Sequence, residues 1–453
     1  MIKKIREFLP LLVLIFISLA LRLAVINSGF HVDILSNAGW GEWIFKNGPK
    51  GFYDNSIWVY SWPTQPPLVN LLYAFSFDLF EWLKTLFVNI STFIAIHRLA
   101  PTYFIWWFDF TRWFGMEKFT SFWTGATGFN TGALISLKLL SVFADLIIGI
   151  TLYLLAGKKR LTGLLLAGLY LLSPFSWYIG SVWGQTDQVS FVPLFASFLA
   201  IIMGQIVFAP LLFFVSFGIK PTVLIFVPLF SWFYFIYKPK LYEILMGFIF
   251  VLTLCYVLIF SFTDKNIFIF GEELFEKVFL KSEFRVSTNA FNFWHILIGN
   301  RALNQEALFL FVPAKIWGYI VFFFLNLLAF RFTKEKTLKG LFIALFIVGA
   351  GGWLFLTNML GRYFFAGVVF GLISTIYYPK LLPYWLGVSL IFFLNLYNEW
   401  WFPEWLISLK TIFEWQGGFI TRLLSLANVI LFVKMLYIFG VKMPRLQILE
   451  KFR

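Results

Sequence analysis

A few polar clusters interrupt an otherwise apolar chain, and each holds a group able to act on a substrate. Asp33 follows the first apolar run by a few residues, in Gly29-Phe30-His31-Val32-Asp33. A carboxylate there can take the proton of an acceptor hydroxyl. The plain structural alternative is an N-cap for a short helix over 34–46. Glu42 and Asp54 are weaker candidates, equally well explained as solvated surface charge. Trp183-Gly184-Gln185-Thr186-Asp187-Gln188 joins two apolar segments. Trp183, Gln185 and Asp187 are its candidates for substrate contact, against a simple turn capped by Asp187. Lys220 sits in Gly218-Ile219-Lys220-Pro221-Thr222, between two apolar segments. A lysine at membrane depth costs about 2.5–3.5 kcal/mol unless paired or hydrated, so it is a functional candidate by default. Snorkelling to headgroups or pairing with Asp187 would also account for it.

Two further clusters lie later in the chain. Asn289, Asn292 and Trp294, in Ser287-Thr288-Asn289-Ala290-Phe291-Asn292-Phe293-Trp294-His295, mix amides with rings. Flat rings cover the C–H face of a sugar while amides bridge its hydroxyls. An interfacial amphipathic stretch has a similar composition. Arg362, in Gly361-Arg362-Tyr363, opens an apolar segment. Arginine there can grip a phosphate bidentately, or face lipid headgroups. The three histidines are scattered, and no HExxH, Walker A or GxGxxG motif occurs. No cytoplasmic domain is present to bind a nucleotide-sugar, so a sugar donor would arrive through the membrane.

The elements that position these groups follow from composition. Of the 453 residues, 60% are hydrophobic and 13% charged, against about 25% charged in a soluble domain. Apolar runs such as Phe8–Ile26, Leu134–Leu155, Ile244–Phe260, Leu308–Leu328, Leu341–Leu356 and Leu382–Leu396 are long enough to cross a bilayer as helices. The net charge of +14 falls between these runs, at Lys3/Lys4/Arg6, Lys158/Lys159/Arg160, Lys238/Lys240, Arg331–Lys339 and the C-terminus. That placement marks cytoplasmic loops rather than a nucleic-acid surface. The lone Cys255 excludes an intramolecular disulfide and a Cys-ligated cluster. Arg22 and bulky neighbours stand where a signal-peptide cleavage site would be, so the first run reads as an uncleaved helix.

The expected fold is an all-α polytopic membrane protein of about 12–14 transmembrane helices, with an amphipathic interfacial helix in the first external loop, 28–66. Segments 161–178, 189–203, 206–219 and 221–237 supply four crossings. Two more are expected within 67–133, with a Trp-rich stretch at 102–123 on the outer interface. Both termini are then cytoplasmic, and the candidate residues gather on the outer side. Residues 1–262 form the catalytic module, and 263–453 add an external loop and C-terminal helices without an independent domain.

Taken in order, these pieces resemble the GT-C superfamily of integral membrane glycosyltransferases, especially its mannosyltransferase-like members. The resemblance rests on His31-Val32-Asp33, Trp43, Gly48-Pro49-Lys50-Gly51-Phe52-Tyr53, Gln65-Pro66-Pro67-Leu68 and Ala144-Asp145-Leu146. Trp183–Gln188, Ile219-Lys220-Pro221-Thr222, Asn289-Ala290-Phe291-Asn292 and Arg362-Tyr363 complete it. It implies an inverting transfer from a polyprenyl-phosphate sugar, mannose or another hexose, to a glycan, lipid or protein acceptor at the outer face of the plasma membrane. Asp33 would be the general base, and Arg362 or Lys220 would steady the departing phosphate. No nucleic acid and no required cofactor are implied. Some relatives hold a divalent metal in the first external loop, where this chain offers one strong carboxylate. Leu360-Gly361 replaces the His-Glu that often precedes the Arg-Tyr pair. A lipid-linked-glycan flippase or transporter, and a polysaccharide ligase or polymerase, are the competing expectations. A transporter suits short broken helices and a membrane-depth lysine, but no internal repeat is present.

Overall fold

The computed structural model describes residues 2–58, 60–97, 118–120, 127–276, 278, 284–299 and 301–441. The fold is all-α. Among the described residues the strands are two short antiparallel pairs, β1 (Lys118–Thr120) with β2 (Thr127–Asn130) and β3 (Leu308–Phe309) with β4 (Val312–Pro313). Seven helices have the length and hydropathy to cross a bilayer, and a pair bent by 50° at Arg160–Val182 makes an eighth if it is one span. The chain is therefore a polytopic helical membrane protein. Reaching the expected 12–14 crossings depends on four shorter apolar helices, Asp187–Ile202, Ile206–Ile219, Pro221–Ile236 and Gly361–Ser374.

The described chain divides into two units, 1–224 with 238–283 and 225–237 with 284–453. In the first lie α1 (Ile2–Val25), α2 (Val32–Asn47), α3 (Pro67–Ile96), α4 (Thr131–Leu155), α5 (Arg160–Leu171) and α6 (Pro174–Trp177). A turn of π-helix, Tyr178–Val182, prolongs α6. Then come α7 (Asp187–Ile202) and α8 (Ala209–Ile219). Helix α4 is apolar almost all round and mostly buried, the signature of a central helix. Helices α1, α2, α3, α5 and α7 pack on it.

Helix α2 stands where the first-loop helix was expected. Its apolar side, with Ile34, Trp40 and Ile44, is buried in the core of this unit. Gly41 permits the close approach to α3, because a Cβ there would lie 2.7 Å from the main chain of Tyr73. The following loop is pinned at both ends. Tyr53 donates to the Gln65 carbonyl at 2.7 Å and accepts from Asn70 at 2.9 Å. Burial pushes the Tyr53 hydroxyl far above the ordinary tyrosine range, so it stays a neutral tie. Lys265 bridges Asp54 (2.7 Å) and Glu273 (3.0 Å), joining the loop to the chain after α10 (Leu241–Phe262) and to α11 (Ile267–Phe275). Of the segment 67–133, α3 is one continuous helix of 30 residues. The Trp-rich stretch 102–123, expected at the outer interface, is described only at 118–120, and the rest of it lies outside the described residues.

The second unit holds α9 (Val227–Ile236), α12 (Phe293–Ile298), α13 (Ala314–Thr333), α14 (Leu338–Phe355) and α15 (Phe365–Ser374). It continues with α16 (Leu382–Trp400), α17 (Ser408–Glu414) and α18 (Phe419–Ile438). Helix α14 has apolar residues on every side and is buried between α13 and α15. The run expected to start at Leu308 becomes helical only at Ala314. Leu310 and Phe311 turn in the left-handed region, and Pro313 sits at the N-cap. The β3–β4 hairpin therefore occupies the start of that run.

Candidate functional site

The first unit assembles a site around Asp33. Asp33 is the second residue of α2 and is not its cap: that place belongs to His31, whose Nδ1 accepts from the Asp33 main-chain N–H at 3.1 Å. The plain structural alternative, Asp33 as the N-cap, is therefore not what the helix uses. Its Oδ2 accepts from Gln185 Nε2 at 2.8 Å and lies 3.3 Å from His31 Nδ1. The Asp33 side chain keeps 33% exposure, whereas Gln185 and Trp183 are buried. The Trp183 ring meets the His31 ring edge-on, with centroids 5.3 Å apart. A partly open carboxylate is therefore oriented by buried neighbours, as a general base requires.

One stripe of α4 holds both arms of this site. Lys138, Ser141 and Asp145 fall at i, i+3 and i+7, a single helical face. Lys138 Nζ donates to the carbonyls of Ile26 (2.7 Å) and Gly29 (2.6 Å), in the link from α1 to α2. Main-chain acceptors past a helix end lack helical partners, and a cation suits that end of the dipole. Ser141 donates to the Gln185 carbonyl. Asp145 accepts from Tyr170 and, at 3.1 Å, from Arg22 Nε. The Arg22 guanidinium also donates to Ser18 Oγ (2.5 Å), the Leu171 carbonyl (2.7 Å) and Ser176 Oγ (3.1 Å). Arg22 and Asp145 are both fully buried.

Sequence reasoning missed the Arg22–Asp145 pair and Lys138. The available signal was that each is a charge within an apolar helical run, which is rare without a partner.

Asp187 and Lys220 form a buried ion pair, the third of the three readings open for that lysine. Asp187 is the first residue of α7, and Lys220 is the extended residue that ends α8. Ser216 donates to the Ser190 carbonyl at 2.7 Å and ties the two helices. Asp33, Trp183, Gln185, Asp187 and Lys220 thus all belong to the first unit.

Arg362, Asn289, Asn292 and Trp294 belong to the second. Asn292 caps α12, accepting from His295 N at 3.1 Å, and Trp294 Nε1 donates to the Phe355 carbonyl at 2.8 Å. Both are buried and hold the loop shut, whereas Asn289 is exposed. Arg362 is half-buried in the turn Gly361–Phe364, its guanidinium 5.8 Å from the Tyr363 ring centre. Asn395 accepts from Phe291 N at 3.0 Å and donates to the Asn289 carbonyl at 2.6 Å. One turn along α16, Glu399 accepts from Gly361 N. A Cβ at 361 would lie 2.2 Å from Glu399 Oε1, so a larger residue beside Arg362 would push the Glu399 carboxylate off this N–H. Neither Asn395 nor Glu399 was singled out from the sequence.

Among the described residues no group of three His, Cys, Asp or Glu side chains could hold a metal. Beside Asp33 the His31 Nδ1 already accepts a main-chain N–H and Gln185 gives its amide N–H to the carboxylate, so these neighbours do not fit a divalent cation. No family model and no curated protein matches the chain. What stands is a polytopic helical membrane protein whose first unit presents one oriented, partly open carboxylate.

Proposed function

We propose that the chain is a membrane glycosyltransferase of GT-C type, moving mannose or another hexose from a polyprenyl-phosphate carrier to an acceptor hydroxyl with inversion. The observation that carries this is Asp33: a partly accessible carboxylate that accepts from the buried Gln185 amide, beside the His31 ring that caps α2. In the reaction Asp33 takes the acceptor proton as the acceptor oxygen attacks the anomeric carbon. The bond from that carbon to the phosphate oxygen breaks on the opposite face, and the lipid phosphate leaves with the electron pair. A fixed cation stabilises the leaving charge, a role for Lys220 or Arg362. Lys220 enters it already compensated by Asp187. The distribution of basic loops supports a site on the outer face with both termini inside, and the membrane proposed for this reading is the plasma membrane.

The test uses purified protein in detergent with radiolabelled polyprenyl-phosphate mannose and a membrane extract, comparing wild type with Asp33→Asn. Transfer by the wild type alone supports the base. Equal transfer by both removes Asp33 from the reaction. The membrane-depth Arg22–Asp145 pair favours one second reading, a transporter of lipid-linked glycans. A transporter would show no split between donor binding, retained, and turnover, lost, in Asp33→Asn.

A further inference from the structure

Helix α2 carries a second feature beyond Asp33. Between α2 and residues Ile57, Trp58, Tyr60 and Ser61 lies an open cleft of about 280 Å³. Trp40, Trp43, Trp58 and Tyr60 wall it, with Glu42 and Lys46 along α2. The rings are braced: Trp43 and Trp58 lie 6.3 Å apart between centroids, and Phe52 packs edge-on behind both, at 5.6 and 5.1 Å. Trp40 Nε1 is spent on the Ser61 carbonyl and Trp58 Nε1 on the Asn55 carbonyl, each at 3.0 Å. Trp40, buried, floors the cleft, and the half-buried Trp58 can offer a ligand its face rather than its N–H group.

The polar groups of the cleft differ in availability. Ser61 donates to Ser36, which donates to the Val32 carbonyl. That hydroxyl chain is internally satisfied. Glu42, half-buried, and Lys46, exposed, pair at 2.8 Å, and the exposed Asn47 gives one amide N–H to the Trp43 carbonyl at 2.8 Å and keeps its other amide groups at the surface. Flat apolar faces beside an acceptor, a cation and an amide match the alternating C–H and O–H surfaces of a pyranose. A lipid tail would desolvate the Glu42–Lys46 pair without giving it any further hydrogen bond, at a cost. The volume lies at the small end of ligand pockets, which run ~300–1,000 Å³, and suits one or two sugar rings rather than a folded partner.

Placement gives this a consequence. Asp33, Ser36, Trp40, Trp43 and Asn47 run down one stripe of α2. Seven residues of helix set Trp40 about 10 Å along the axis from Asp33. We infer that this cleft is a saccharide subsite and, resting on the transferase reading above, that it holds the non-reacting sugar of an acceptor whose hydroxyl is presented to Asp33. The acceptor class is then a glycan, rather than a lipid alcohol or a protein side chain.

The experiment measures disaccharide binding to the full chain in lipid nanodiscs, because glycosidic detergents would compete. The probes are mannobiose, cellobiose and chitobiose, followed by saturation-transfer NMR and calorimetry. At least one binds, and Trp43→Ala weakens it about tenfold, the loss of one good aromatic contact. Glu42→Gln, an isosteric change that leaves the fold intact, weakens it as well. Failure of all three disaccharides, or binding indifferent to both Trp43→Ala and Glu42→Gln, overturns the subsite. Competition by decyl phosphate alone would instead assign the cleft to the lipid carrier and overturn it too. Binding without transfer from any donor leaves the subsite standing and removes the transferase. Transfer whose acceptor KM ignores Trp43→Ala does the reverse.

Discussion

Removing one partner of the Arg22–Asp145 pair should be far more damaging than removing both. Arg22 is fully buried, and its donors reach Asp145, Ser18, the Leu171 carbonyl and Ser176. Asp145→Leu leaves that guanidinium with neutral acceptors only, and breaking a buried pair on one side costs about 3–5 kcal/mol. Arg22→Met costs a similar amount by stranding the carboxylate, which keeps Tyr170 as a donor. The double variant Arg22→Met/Asp145→Leu buries no charge. Exchange of a buried pair for apolar residues of similar volume is often neutral or stabilising by about 1–4 kcal/mol. The cycle therefore has a strongly favourable coupling, with the double variant at least about 2 kcal/mol more stable than either single one. Thermal unfolding in detergent, followed by intrinsic fluorescence, reads this directly. The single variants should melt about 5–10 °C lower and the double one near wild type. Additive losses would refute the claim that these charges compensate each other, and would mean that each is held by its other contacts.

Lys138→Met should loosen the seat of Asp33 with little change in melting temperature, because methionine fills the same volume and needs no acceptor. The measurement is hydrogen exchange across 27–33, which should speed up while the rest of α4 stays protected. His295 is buried, and burial together with the Arg422 charge lowers its pKa to about 4. Its folded value lies below the usual 6.5, so its contribution is full above pH 6.5 and declines as the pH falls towards 4. The loss amounts to about 3 kcal/mol across that window. His295→Gln should flatten this part of a melting-temperature profile between pH 4 and 7. Gly41→Val should force α2 off α3, since even a Cβ meets the Tyr73 main chain at 2.7 Å. A cost of about 1–3 kcal/mol is expected for such overpacking, read as a lower melting temperature.

Local features were legible in the sequence because their causes are local. Gly48 and Pro49 stop α2 after Asn47, and Pro221 follows the end of α8 at Ile219, close to where composition placed both boundaries. Lys220 in an apolar setting announced a need for a partner, and Asp187 meets it across 33 residues. Arg22 carried the same signal but lay near the end of its run, where a basic residue also reads as a topological flank. Its partner is 123 residues away, and nothing local points to it. His31 as the cap of α2 was hidden for a different reason: imidazole is an uncommon cap, and Asp33 two positions on is a common one. Asn292 and Trp294 were singled out by residue type, and their placement was not legible from it. Type does not say which way a side chain faces, and both face inward.

The same separation of 123 residues sets a timetable for biogenesis. A ribosome adding ~5–20 residues per second needs roughly 6–25 s to travel from Arg22 to Asp145. Through that interval α1 is in the bilayer with a guanidinium whose counter-charge has not been made. Near the end of the helix it can reach the headgroups, which lowers a cost of about 2.5–3.5 kcal/mol at mid-membrane. Synthesis of α4 then supplies the carboxylate, and the arginine exchanges water and lipid for Asp145, Tyr170's partner. Assembly of this unit is thereby ordered in time: α1 is held as a loosely seated helix until α4 arrives to draw it in.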